Sequence, residues 1–133
     1  MVQTKTVAGM KRPEEIIDET LRSLTAMQGI ESAIVISEDG FPMFSSYQGP
    51  YSEDDELLIS AMIAGIVATV STATTKLGKE QAEHITIETP NGYIVVSSIK
   101  EGAILVLTTI KATKLGLTYY VMRQAKNKIQ IAL

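Results

Sequence analysis

The sequence is 133 residues long, 45% hydrophobic and 20% charged, with a formal charge of −3. A chain of this size makes one domain, buries about two thirds of its unfolded surface without metal or cross-link, and here carries no basic excess for nucleic acid. It has no cysteine, which excludes disulfides, thiolate metal sites and thiol catalysis.

Residues 1–11 are polar and read as a disordered tail ahead of a domain spanning 12–133. They contain no apolar core of a signal peptide, so a soluble, cytoplasmic protein is expected. A first helix is predicted from Pro13 to Gln28. Pro13 suits the first turn, Glu14, Glu15 and Asp18 sit at the positive end of the dipole, and Ile17, Leu21 and Leu24 make one stripe. Gly29 reads as its left-handed cap, with Ile30 packing back on Leu24. A hairpin follows. Ser32–Ser37 is β-branched like a central strand, Glu38-Asp39-Gly40 is the turn, and Phe41–Ser46 returns. Pro42 lacks an N–H and sends that strand to a sheet edge.

After a loop from Tyr47 to Tyr51, Ser52 and Asp55 approximate a capping box for a helix reaching Leu77 and stopping at Gly78. Its apolar run, Leu57 to Val70, is broken by Ser60 and Thr69. It reads as a core helix too short to span a bilayer. Then Ala82–Glu88 alternates as a strand, Pro90-Asn91-Gly92 turns, Tyr93–Ile99 is a strand, Lys100-Glu101-Gly102 turns, and Ala103–Thr109 is a buried strand. A last helix is expected over Thr113–Lys128, with Leu117, Tyr120, Val121 and Met122 as its apolar positions. The state of Ile129–Leu133 is left open. The order is α-ββ-α-βββ-α, an α+β chain with a mainly antiparallel sheet and helices on its faces.

Chemical motifs are sparse. Gly78-Lys79 runs into Glu80 and Ala73 stands where a phosphate loop needs glycine. No G-x-S-x-G elbow occurs. His84, the one histidine, reads as an outward-facing strand residue rather than a base. Glu53–Glu56 could be a cation site, but capping and the helix dipole explain it. No catalytic, cofactor or metal residues are assigned.

The second helix is the unusual element. No charge falls between Glu56 and Lys76, whereas a surface helix carries a charged face. Ala61, Ala64, Gly65 and Ala68 would let a second copy of the helix approach closely, and an uncovered face would be a large apolar patch. The strand around Glu83–Glu88 reads as the other sheet edge, able to pair with its own copy.

The span from about Ile16 to Lys128 resembles the Roadblock / dynein light chain domain. The resemblance is carried by Gly29–Gly40, the acidic-then-alanine-rich helix Asp54–Thr75, Leu77-Gly78, Ile85–Glu88, Gly102–Thr108 and Leu115-Gly116-Leu117. It implies an α-β-β-α-β-β-β-α fold with a five-stranded antiparallel sheet, related to profilin and longin folds. It also implies dimerisation through the third strands and second helices, which puts Ile85, Thr86, Ile87 and Glu88 with Ala61, Ala64, Gly65 and Ala68 at the interface. Such domains commonly serve as non-catalytic partners of Ras-like small GTPases, and others attach to dynein motors. The chain looks more like the prokaryotic members. On this reading a GTPase would meet exposed residues such as Glu56, Ser60 and Thr69. None of Arg12, Arg22 and Arg123 is placed as an arginine finger. The alternative is a small-molecule sensor, its ligand held between sheet and helix among Tyr and Met side chains.

Overall fold

The computed structural model describes residues 11–48, 53–100 and 102–133, and the side chains of all of these but 53 and 54. The predicted tail (all but Lys11), the cap at Ser52, the loop residues 49–51 and Glu101 lie outside the described residues. The elements are α1 (Pro13–Thr25), β1 (Ile30–Ser37), β2 (Pro42–Tyr47), α2 (Glu53–Lys76), β3 (Ile85–Thr89), β4 (Gly92–Ile99), β5 (Ala103–Ile110) and α3 (Leu115–Ala132). The five strands form one antiparallel sheet in the order β2-β1-β5-β4-β3. The predicted α+β class and element order are those observed.

Each strand's character follows from its place in that order. β1 and β5 are interior and covered on both faces, so they read as unbroken apolar runs. Ala33, Val35, Leu105 and Leu107 point to one core; Ile34, Ile36, Ile104 and Val106 point to the other. β2 is an edge, as Pro42 requires. Its register with β1 shifts where Val35 opposes Phe44 and Ile36 opposes Pro42. β3 is the other edge and is shorter than the sequence pattern suggests. Residues 82–84 leave the ladder, and the Ser97 hydroxyl donates to the Glu83 carbonyl at 2.7 Å in place of a strand partner.

One face of the sheet carries α1 and α3. Ile17, Leu21 and Leu24 are buried there, as their spacing predicts. α1 ends at Thr25, short of Gln28, where the Thr25 hydroxyl turns back to the Leu21 carbonyl and meets Ser46 Oγ at 2.7 Å. Gly29 is therefore not the cap. At φ +94° it opens β1 instead, where a Cβ would collide with the Thr113 hydroxyl.

α3 absorbs most of the C-terminal segment. It buries Thr118, Met122, Ala125, Ile129 and Ala132, while Leu117 and Tyr120 are more than half exposed. Of the predicted positions Met122 is buried and Val121 packs against the core, and Leu117 and Tyr120 are corrected. Thr118 and Ala125 are small, and a close helix crossing over the sheet selects the face that permits it rather than the one with the largest side chains.

At Gly92 a Cβ would lie well inside contact distance of the Thr109 carbonyl oxygen across the β4–β5 ladder. Backbone atoms cannot yield as a flexible side chain would. Gly92→Ala should therefore destabilise the fold by about 2 kcal/mol or more, read as a lower midpoint in urea denaturation. An unchanged midpoint would contradict this register.

Candidate functional site: the open side of the second helix

Among the described residues, only α2 covers the opposite face of the sheet. Among the described residues, Ser60, Ile63 and Ala64 are the buried positions of this helix, with Glu56, Val67, Val70, Ser71 and Thr74 half-buried along the same line. That line follows helical spacing and rests on Ile34, Ile36, Val96, Ile104 and Val106. One polar tie joins the helix to the sheet, the Tyr47 hydroxyl donating to the Glu56 carboxylate, while the buried Ser60 hydroxyl donates within the helix to the Glu56 carbonyl at 2.7 Å. At the β1–β2 turn, a Cβ on Gly40 would stand 3.0 Å from Ala61 Cα, so the turn presses on the helix backbone.

The remaining surface of α2 is open and apolar. Leu57, Leu58 and Met62 are 51–62% exposed, and Ile59 and Ile66 more than a third. Only 17% of an 18-residue window within Asp55–Lys76 is buried, so the expectation of a core helix is corrected. By length and composition this stretch, with a mean hydropathy of 1.9 over an 18-residue window within it, is apolar enough to cross a membrane. Its hydroxyls do little to change that character. Thr69, Thr72 and Thr75 each donate to the carbonyl four residues back, at 2.9, 3.2 and 3.0 Å, leaving their methyls outward.

Two clefts flank the helix. One, of about 350 Å³, lies between Ile59, Met62 and Ile66 of α2 and Ile34, Ile94 and Ile87 of the sheet. It joins the bulky flank of α2 to edge strand β3. The other, of about 400 Å³, runs past Val67 and Ala68 to His84 and Ile85.

The positions singled out from sequence separate on this geometry. Ala61, Gly65 and Ala68 are exposed, on the flank away from Ile59 and Ile66, whereas Ala64 is 8% exposed and turns to the sheet. Ile85 and Ile87 face the α2 side; Thr86 and Glu88 face α3. Glu88 pairs with Lys111, whose ammonium also bonds the Thr89 carbonyl and lies 4.8 Å over the Tyr93 ring. The bond to Glu88 holds the Lys111 pKa above its ordinary value. Of the three partner candidates, Thr69 is exposed, Glu56 is half-buried under Tyr47, and Ser60 is sequestered. His84 is not a strand residue: it precedes β3, half-buried and stacked on Tyr119.

The bulky open flank, Leu58, Ile59, Met62 and Ile66, was not singled out as a site from the sequence. An uncharged helix does not declare which apolar side faces inward. Ser60 was the available signal, since a serine that bonds its own helix carbonyl can be buried and let the backbone approach the sheet.

The Roadblock/LC7 domain family matches residues 16–109. No curated protein matches the chain. The gliding protein MglB of Thermus thermophilus is 19% identical and superposes with a TM-score of 0.82 over 99% of this chain and 97% of its own. A Roadblock/LC7 domain of Streptomyces avermitilis is 26% identical, TM-score 0.64, covering 85% and 97%. A profilin of Schizosaccharomyces pombe, at 16% identity, aligns with TM-score 0.59 over 84% and 90%. The chain thus shares its fold with both Roadblock domains and profilins.

Ala64→Glu should unfold or severely destabilise the isolated chain, because it puts a charge against the sheet. Leu58→Glu, at an exposed position, should leave the far-UV circular dichroism spectrum unchanged. Equal melting temperatures for the two variants would contradict the orientation of α2.

Proposed function

As the chain belongs to the Roadblock/LC7 family, we propose that it works as a homodimeric, non-catalytic interaction module that binds a Ras-like small GTPase and regulates or scaffolds it. The observation that carries the dimer is the unpaired apolar side of α2, continuous through a cleft with the edge strand β3. Leu58, Ile59, Met62 and Ile66 are each roughly a third to two thirds exposed. Covering them gains about 1 kcal/mol apiece, given ~1.5–3 kcal/mol for full burial. A two-fold pair covers each residue twice, for about 8 kcal/mol, against an association cost of about 4–15 kcal/mol. Helix contact alone thus leaves a weak dimer. Antiparallel pairing of Ile85–Glu88 with its own copy supplies backbone hydrogen bonds that the edge lacks, and it seats the second α2 beside the first.

The partner class rests on family membership. The GTPase would dock on the composite helix surface that two copies of α2 create, with Thr69 among the exposed residues there. Arg12 precedes α1 as its N-cap, Arg22 lies in α1 and Arg123 in α3, on the other face of the sheet. Any stimulation of GTP hydrolysis would therefore come from ordering the GTPase's own switch segments rather than from an inserted arginine. As a scaffold, the dimer would hold the GTPase without changing its rate.

Affinity capture from the native lysate with a GTP analogue and with GDP, followed by mass spectrometry, tests this reading. Nucleotide-dependent recovery of a Ras-like GTPase is the expected result. Recovery of the chain alone in both conditions would defeat it, and a co-purifying apolar small molecule in the cleft would favour the sensor alternative. Met62→Glu should convert the dimer to a monomer in analytical ultracentrifugation, with its circular dichroism retained and the GTPase lost. If wild type is monomeric but floats with lipid vesicles, the apolar side meets a membrane and the dimer reading fails.

A further inference from the structure

On the α3 face, where the chain enters β3, lies a polar cleft of about 420 Å³ that neither the core nor the proposed dimer contact on α2 uses. Its working walls are Glu83 and His84 ahead of β3, and Tyr119, Arg123 and Lys126 of α3. Arg123 and Lys126 are three residues apart, so their heads open toward one mouth. The His84 ring is stacked on Tyr119, centroids 4.1 Å apart and planes 20° from parallel, and the Tyr119 hydroxyl is bonded to Thr86 at 2.7 Å. The imidazole is therefore held in place by a side chain that is itself anchored to the edge strand.

The charges there are not balanced. Among the described residues Glu83 is the one carboxylate lining the cleft, against Arg123 and Lys126. Lys126 is half-buried, and among the described residues it is in none of the ion pairs. Burial pulls its pKa down, Glu83 opposes this, and Arg123 adds to it. A cation partly removed from water is disfavoured, and a bound anion relieves it further than Glu83 does. An Arg fork, an ammonium and an imidazole around one cavity supply donors in several directions. That suits a tetrahedral group with three free oxygens better than a planar carboxylate.

We propose that this cleft binds a soluble small molecule through its phosphoryl group, held by Arg123 and Lys126 with His84 at the rim. Its cations come from α3, on the face opposite α2, while His84 also borders the cleft beside α2.

His84 is the only histidine in the chain, so its ring protons give an unambiguous NMR probe. Pyrophosphate titrated into the full chain at constant ionic strength should shift the His84 ring signals saturably, and acetate should not. Lys126→Met and Arg123→Gln should each weaken that binding at least tenfold. Their melting temperature and sedimentation should stay at or above wild type, since Lys126→Met removes a buried charge rather than a contact. A shift that chloride reproduces, that acetate matches, or that persists in both variants would overturn the assignment.

Discussion

A five-stranded sheet with apolar side chains on both faces needs two covers, and this chain provides them unequally. α1 and α3 together seal one face around Leu21, Leu105 and Ile129, none more than 1% exposed. Among the described residues α2 alone crosses the other face, touching it through Ile63 between the small side chains of Ser60 and Ala64. Two clefts and an exposed apolar flank remain. Unsealed apolar surface next to an unpaired strand edge is the condition under which a second chain gains most from binding.

The edges of the sheet reinforce this asymmetry. β2 is protected by Pro42, by its shifted register and by the packing of α1 beside it. β3 has no proline. Its charge, Glu88, is drawn inward to Lys111, which follows β5 and reaches across Tyr93 of β4 to the end of β3. The proposed self-association uses the edge that is least defended, and the helix side that is least covered, at adjoining places on one face.

The α3 side is chemically different. There the apolar core is closed, and beside the exposed Leu117, Tyr120 and Ile131 of α3 lies a polar cleft with an anchored His84–Tyr119 stack, Arg123, Lys126 and Glu83. Protein contact on one face and a small anion on the other would let a compact domain carry two signals. Both use the same edge strand, β3, whose Ile85 and Ile87 look one way and Thr86 the other.

Most of the architecture was legible in the sequence, because local chemistry dictates it. β-branched runs, Gly40 and Pro42 specify the hairpin, and the i, i+4, i+7 spacing of Ile17, Leu21 and Leu24 specifies the buried face of α1. The uncharged length of α2 announced an unusual surface. What only the tertiary structure decided was orientation. α2 and α3 have apolar residues on several sides, so periodicity could not say that Ala64 faces the sheet and Met62 faces out, or that Thr118 rather than Leu117 is buried. Close approach of a helix to a sheet favours the small side chains, and this is a property of the contact, not of the helix. For the same reason His84, ordinary in sequence, acquired a partner 35 residues away only when α3 folded over the edge of the sheet.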